Sequence, residues 1–511
     1  RKGDWTTSSA MFKAVEATGS TAPYADYSNA ATSDVNVVYP ERDNYVYQTT
    51  IRYGEREMAM MGKAAIELAS EKQISAAEIL DIDANKFYLR GVAGKRIYGL
   101  LNDPNLPADI SPATVRTNVV LWSAKTTVEI YDDVIAIRRH LHQYPEVSKQ
   151  EKKTADFICE QLDKLPGIEY QRDIAGNGIC GIVNGRESDK CVALRADMDA
   201  LPICEKTNLP FKSKNEGVMH ACGHDVHMAV LLGTLKILSE LREEFYGKVM
   251  FIFQPSEEHY PGGAITMLNA GIFKDIKPSK IFALHTTPEM NTGTIGMKEG
   301  KYMASTDEIY IEVRGKGGHG ATPELNIDPI VAASHIVIAL QTLVSRNANP
   351  TMPTTFSVGR FIAEGRTNII PSKVDLECII RTFDEQWRKQ AHKNIHRIVE
   401  NTAQAFGATA DVFIDHGYPF VYNDPDLTRT SRALAEEYLG KEKVANIDMR
   451  MTAEDFSYFA QRVPACYFRL GTRIEGKPIT NLHTANFDVD ERCLEVGMGL
   501  SAFLAIKSLE E

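Results

Sequence analysis

Histidine and cysteine are missing from the opening of this 511-residue chain. All 13 histidines lie at His140 or later, and all eight cysteines at Cys159 or later. A segment without imidazole or thiol is not expected to hold a transition-metal centre or a histidine-based catalytic site. The change marks a composition boundary near Thr117 to Thr127. Long apolar runs are also missing: none approaches the roughly 18 residues of a membrane span. The start, RKGDWTTSSAMFKAV, lacks the apolar core of a secretory signal. It opens on Arg1 rather than methionine, which reads as a fragment or a processed product. Positive charge is in deficit, with a net charge of -11. That balance disfavours nucleic acid or an anionic membrane as the main partner. The cysteines lack tight pairing, which fits a reducing cytoplasm. The stretch GVAGK, Gly91 to Lys95, lacks the further glycine and the Ser/Thr of a phosphate loop, which argues against nucleotide binding.

What is present is ordinary globular material, 43% hydrophobic and 24% charged, long enough for roughly two to four domains. Residues 1 to 53 read as loops and short strands. Glu55 to Asn85, rich in Ala, Glu, Met, Lys and Leu, reads as helix. Beyond Val128 the pattern sharpens. VEIYDDVIAIRRHLHQYPE predicts an amphipathic helix closed at Tyr144-Pro145. Apolar runs at Cys191 to Leu194, Val249 to Phe253, Ile281 to Leu284 and near Ala465 alternate with helical stretches. This predicts an α/β sheet that is at least partly parallel. The helix DVHMAVLLGTLKILSELREEF is expected to be capped by Asp225. Between Met303 and Pro419 strands and helices follow the order β-α-β-β-α-β, a ferredoxin-like pattern inserted into the first domain.

Polar residues stand directly after the apolar runs. Ligands of open α/β sheets bind beyond the carboxyl ends of strands, so Asp197, Asp199, Glu257, Glu258 and His285 are expected in one cleft. Cys222 and His224, two apart before a helix start, suit zinc and its transition-metal neighbours. By themselves they read equally as a structural cysteine and a capping histidine. His220 and His227 are close enough for one of them to orient a ligand. In the pair Glu257-Glu258, one carboxylate could bind metal while the other faces a water. His483, in a loop, gains meaning only from the others. His319 lies between glycines in GKGGHGATP, on an expected flexible loop. Asn368 and Arg381 could grip a carboxylate, for which arginine offers a planar fork.

Eight short motifs occur in order: HLHQYPEVS, RADMDALP, MHACGHDVHMA, QPSEE, ALH, GGHGATP, TNIIP and NLHTANFD. Together they resemble the amidohydrolase branch of the aminoacylase and carboxypeptidase G-like metallopeptidase family. Its members include hippurate hydrolases, auxin-conjugate hydrolases and N-acetyl-diaminopimelate deacetylases. The resemblance covers 128–511. It implies a mixed-sheet di-metal hydrolase domain, 128–302 plus 420–511, with an inserted lid and dimerisation domain, 303–419. It implies Cys222, His224, Glu258, His285 and His483 as ligands of two divalent ions, whether zinc, manganese, cobalt or nickel. Glu257 matches the general acid/base and Asp199 the supporting aspartate. His319 matches a lid histidine that reaches the partner's active site in dimeric relatives. Asn368 and Arg381 match substrate-carboxylate positions. Cys222 stands near where the exopeptidase branch has a bridging aspartate, which favours acyl-amino-acid hydrolysis over dipeptidase activity.

The first segment, 1–117, is similar to part of a tailed-phage major capsid protein, on the expected helix Glu55 to Asn85 followed by YGLLNDPNLP, Tyr98 to Pro107. Such subunits are normally longer, which leaves the piece open to being incomplete. It is expected to be an α+β segment, joined through a linker at 118–127 either as a true fusion or as an artefact of gene assembly. The expected activity is hydrolysis of N-acyl amino acids to a carboxylic acid and a free amino acid. A metallo-exopeptidase on the same scaffold and a shell protein carrying an inactive hydrolase-like part stand as alternatives.

Overall fold

The computed structural model describes residues 127–510 and four short strands before them. These strands are β1 (Ser9–Met11), β2 (Ala14–Gly19), β3 (Ser33–Val38) and β4 (Glu41–Asp43). β1 pairs antiparallel with β4, and β2 with β3. The expected helix over 55–85, the stretch 98–107, GVAGK and most of the 118–127 linker lie outside the described residues. By its internal contacts the chain divides into 1–116 and 117–511.

The second unit opens with α1 (Thr127–Gln143) and α2 (Lys152–Leu162). In α1, Val134, Ile137 and Leu141 recur at helical spacing and are buried, so one stripe faces the core. Then come β5 (Ile168–Ile174), β6 (Gly178–Asn184), β7 (Arg186–Asp197), α3 (His224–Glu240), β8 (Tyr246–Gln254), α4 (Gly263–Asn269), β9 (Lys280–Asn291), β10 (Ile295–Met297) and β11 (Gly300–Met303). After the inserted unit the chain adds β18 (Val421–Asn423), α7 (Pro425–Leu439), β19 (Val444–Asn446), α8 (Ser457–Ala460), β20 (Ala465–Arg473) and α9 (Cys493–Glu510). Eight strands form one sheet in the order β19-β10-β20-β9-β7-β8-β6-β5. β7 runs parallel to β8 and β9, and β9 to β20, whereas β6 is antiparallel to β5 and β8. The sheet is therefore mixed, within an α/β fold.

From Cys191 to Asp197, β7 is buried at every residue, as a central parallel strand covered on both faces must be. α3 is apolar nearly all round and buries Leu231, Leu235 and Leu238, each worth about 1.5–3 kcal/mol on leaving water. Parallel β7 and β8 end together, with Asp197 opposite Gln254. That shared edge is where the polar residues gather.

The inserted segment contains β12 (Asp307–Arg314), β13 (Gly318–His319), α5 (Pro329–Leu340), β14 (Thr354–Ile362), β15 (Ile369–Ile370), β16 (Lys373–Thr382), α6 (Glu385–Ala405) and β17 (Thr409–His416). Its four-stranded antiparallel sheet has the order β14-β16-β12-β17. Alternate residues Ile309, Ile311 and Val313 of β12, with Val374, Leu376 and Ile380 of β16, form a second core with Ala333, Ile336 and Leu340 of α5 and Ile395 and Val399 of α6. Asp328 and Asp384 cap the two helices by accepting backbone N–H bonds.

Three expectations are corrected. Asp225 does not cap α3; the helix begins at His224 behind left-handed Gly223 (φ 85°), and Asp225 lies in its first turn. There Asp225 accepts from Arg138 Nε at 2.8 Å, with His142 Nδ1 also 2.8 Å away. An added Cβ on Gly223 would stand 2.5 Å from Thr286 Oγ1, so close approach demands glycine there. β9 does not end before His285 but runs on to Asn291. His319 is in a two-stranded ribbon, β13 paired with β15, rather than a free loop. The stretch Pro329–Asn347, α5 with the helical turn after it, passes a membrane-span test by length and composition alone, but its Ala332, Ala333, Ile336 and Leu340 pack into the second core.

Candidate metal centre and active site

Two triads of donor atoms share one sulfur. Cys222, His224 and His285 form the first, and Cys222, Glu258 and His483 the second, the donors of each lying within 4.8 Å of one another. Cys222 Sγ is 3.3 Å from His285 Nε2 and 3.4 Å from His483 Nε2. The scaffold supplies these residues from four places. The turn before α3 carries Cys222, and its first residue is His224. β9 carries His285, the turn after β8 carries Glu258, and the loop before α9 carries His483. His483 has a left-handed backbone (φ 60°) and donates its N–H to Ala221 O at 2.9 Å. This bond fixes the distant loop against the Cys222 turn.

Two of the three donor histidines are tied through their outer nitrogens. His224 Nδ1 lies 2.8 Å from Asp199 O, and His285 Nδ1 2.7 Å from Thr286 O. A carbonyl can only accept, so both Nδ1 atoms carry the proton and both Nε2 lone pairs point inward. Buried His224 Nε2 and Glu258 Oε1 have no hydrogen-bond partner; Glu258 Oε1 is 3.2 Å from His483 Nε2 without bonding to it. Inward lone pairs on nitrogen, sulfur and oxygen are costly when unpartnered, and a divalent transition cation satisfies all of them. The residues therefore fit a dinuclear metal site. His227 does not belong to the donor set. Its Nε2 accepts from Thr286 N–H at 3.0 Å, and its Nδ1 donates to Asp197 at 2.6 Å.

Asp199 organises the turn between β8 and α4. Its two carboxylate oxygens accept from the N–H of Glu257 (3.0 Å) and of Glu258 (2.9 Å), and Ser148 Oγ donates at 2.6 Å. Ser256, left-handed at φ 56°, donates its N–H to Glu151 at 2.7 Å. Glu257 is buried beside the donors. Burial raises its carboxyl well above the usual range, and the charges of Glu454 and Glu258 raise it further. Burial alone would lower His224, but Asp197 and Cys222 beside it raise it well above its ordinary value, so positive charge is favoured at Nε2, as a proton or as the cation that takes its place. Burial also lifts the Cys222 thiol to about 12 and drives His220, whose ring nitrogens have no partner, down to about 3.

A cleft of about 720 Å³ opens onto this centre, lined by Cys222, Glu257, Glu258, His285 and His483 and, from the inserted unit, Arg381. Arg381 Nη1 donates to Met451 O at 2.9 Å across the cleft. His319 and Asn368 do not line it. They are exposed together at the ribbon, where Gly320 N–H donates to Asn368 O at 2.9 Å. Sequence reasoning missed a buried hub behind the site. Arg195 Nη1 donates to Asp197 (2.6 Å), and Nη2 to Glu454 (2.9 Å) and Asp455 (2.8 Å). The adjacent acid pair in TAEDFSYF is a faint signal for it. Burial, opposed by Arg195 and helped by Glu454, raises Asp455 to about 8. Two further groups, Asp197 with His224 and His227 and His224 with Glu257 and Glu258, belong to the same centre, whereas the trio Asp307, His392 and His416 lies outside the cleft.

Comparison with known proteins follows the same division of the chain. A family model for the Pa193 gp26 major capsid protein matches 1–153. It overruns α1, whose Val134, Ile137 and Leu141 pack in the hydrolase core. The thermostable carboxypeptidase 1 of Saccharolobus solfataricus is 38% identical over 74% of this chain and 96% of its own. An N-acyl-L-amino acid amidohydrolase of Geobacillus stearothermophilus is 42% identical over 58% of this chain and 79% of its own. A solved Bacillus subtilis protein, described as a dinuclear metal binding peptidase from the M20 family, is 34% identical. It superimposes with a TM-score of 0.64 over 75% of this chain and 99% of its own. A model for peptidase family M20/M25/M40 matches 193–507, and the chain belongs to that family.

Proposed function

We propose that the cleft binds two divalent cations and hydrolyses the amide of N-acyl amino acids. The observation that carries this reading is the pair of triads sharing Cys222, with buried Glu257 beside them, within reach of His224 and Glu258 and facing the same cleft. The amidohydrolase relative supports the substrate class. Cys222, His224 and His285 would hold one ion, and Cys222, Glu258 and His483 the other. Such a pair supplies Lewis acidity and lowers the pKa of water toward about 7.

Glu257 takes the proton of the attacking water and returns it to the departing amine. Its raised affinity for protons suits a group that must act as base and then acid near neutrality. Asp199 keeps Glu257 and Glu258 at fixed spacing. Arg381 grips the amino-acid carboxylate in its own cleft, and Asn368, exposed beside His319, reaches that carboxylate in the cleft of a second copy. The four-stranded unit, 303–419, acts as a ferredoxin-like lid on the domain made of 128–302 and 420–511. His319, exposed away from its own cleft, serves the cleft of a second copy and donates to the oxyanion there. Val331 and Ile338, exposed one heptad apart on α5, support a homodimer through the lid. All eight cysteines are unpaired, which supports a reducing, cytoplasmic setting.

The carboxypeptidase relative favours a second reading, cleavage of peptides from the C-terminus. Elemental analysis with a panel of N-acetyl and N-benzoyl amino acids beside dipeptides decides between them. Turnover confined to dipeptides would overturn the amidohydrolase reading, and protein that retains no metal would overturn both.

A further inference from the structure

The inserted unit is joined to the rest by two crossings, Ala304 to Thr306 and His416 to Tyr418, and these run side by side. Thr306 N–H donates to Tyr418 O at 3.0 Å. On the lid side Arg388 Nη2 grips both, donating to Asp307 Oδ1 at 2.6 Å and to Gly417 O at 2.8 Å. On the other side the crossings touch the turn that carries Glu257 and Glu258. The buried Tyr418 hydroxyl donates to Glu257 O at 2.5 Å. Tyr260 Oη lies 3.1 Å from Thr306 Oγ1. The Tyr260 and Tyr418 rings meet edge to face with centroids 4.9 Å apart. There is no slack at this junction. A Cβ on Gly417 would stand 2.4 Å from Thr306 O and 3.0 Å from the Tyr260 ring, and one on Gly262 3.0 Å from the Tyr418 ring.

We propose that Tyr418, seconded by Tyr260, is a positioning residue that transmits lid movement to Glu257. The proposal rests on the reading of Glu257 as the general base. The carbonyl of Glu257 and the N–H of Glu258 belong to one peptide unit, which is planar and stiff. Tyr418 holds the oxygen of that plane, and Asp199 Oδ2 holds its N–H at 2.9 Å. One grip belongs to the hinge and the other to the hydrolase core. When the hinge turns, the Tyr418 hydroxyl moves and the plane must tilt about the Asp199 grip. The Glu257 side chain is re-aimed as the lid closes.

The test uses the metal-loaded full chain with N-acetyl and N-benzoyl amino acids. Tyr418→Phe removes one hydroxyl and nothing else. It should lower kcat about tenfold, with KM and metal content as in the wild type. Hydrogen exchange of 256–262 should speed up while that of α3 stays unchanged. Tyr260→Phe should show the same pattern to a smaller degree and guards against misfolding of the first variant. Unchanged kcat, or a loss that follows metal content, overturns the proposal. If the wild type is inactive on the whole panel, the reading of the site fails, and exchange of 256–262 alone decides the mechanical link: no change in Tyr418→Phe overturns it.

Discussion

Two trios in this chain look alike by residue type and differ in what their atoms already hold. Cys222, His224 and His285 meet within 4.8 Å, and so do Asp307, His392 and His416. In the second trio every lone pair of the carboxylate is engaged. Asp307 Oδ1 accepts from Arg388 Nη2 (2.6 Å) and Gly417 N (3.2 Å), and Oδ2 from Arg388 Nε (2.8 Å), with His392 Nε2 also 2.8 Å away. The guanidinium already fills the place of a cation. In the first, His224 Nε2 has no partner and the neighbouring donors converge on the same space. Proximity alone therefore does not make a metal site; what matters is whether lone pairs are left over after hydrogen bonds are counted.

The sharpest break in this comparison is expected from Glu257→Gln. It should reduce kcat on the order of a thousandfold while elemental analysis shows wild-type metal. Activity near the wild-type level would remove Glu257 from its role. Asp307→Asn should do the reverse. It leaves buried Arg388 with Glu385 Oε2, at 3.0 Å, as its one remaining carboxylate partner, costing on the order of 3 kcal/mol in urea unfolding, with metal content untouched. Loss of metal in that variant would erase the distinction between the trios.

A smaller effect follows from pH. Burial would raise the Asp307 carboxyl, but hydrogen bonds from Arg388 and His392 outweigh it and hold it at about 2. A depressed carboxyl stabilises the fold above its unfolded pKa and loses that contribution as pH falls through the folded value. The wild type should therefore lose about 2 kcal/mol between pH 4 and pH 2, and Asp307→Asn should show a shallower slope in unfolding at those two pH values. Equal slopes would contradict the pairing. Least of all, His416→Ala, at an exposed position, should change stability by less than about 0.5 kcal/mol. A larger shift in melting temperature would make His416 part of the clasp.

Much of this was legible in the chain because local rules govern it. Alternation of Ile309, Ile311 and Val313 marks a strand with one buried face, and Pro145 marks the end of α1. The donors could be nominated because each follows an apolar strand or opens a helix. Other features are not local. Arg195 sits inside a buried strand, and its partners Glu454 and Asp455 are some 260 positions away, so no motif announces the hub. Asp225 satisfies every local rule for a cap, yet α3 begins one residue earlier and the carboxylate goes to Arg138. Tyr418 is one aromatic among 20 tyrosines until the two crossings are seen together.

The grip of Asp199 falls on main-chain N–H groups, so the turn it shapes is indifferent to the side chains it carries. Exchanging Glu257 for a neutral isostere leaves both amides in place and Glu258 still beside Cys222 and His483. A silenced enzyme of that kind should keep the architecture of the working one, which makes it the natural form in which to trap an uncleaved substrate and read its identity directly.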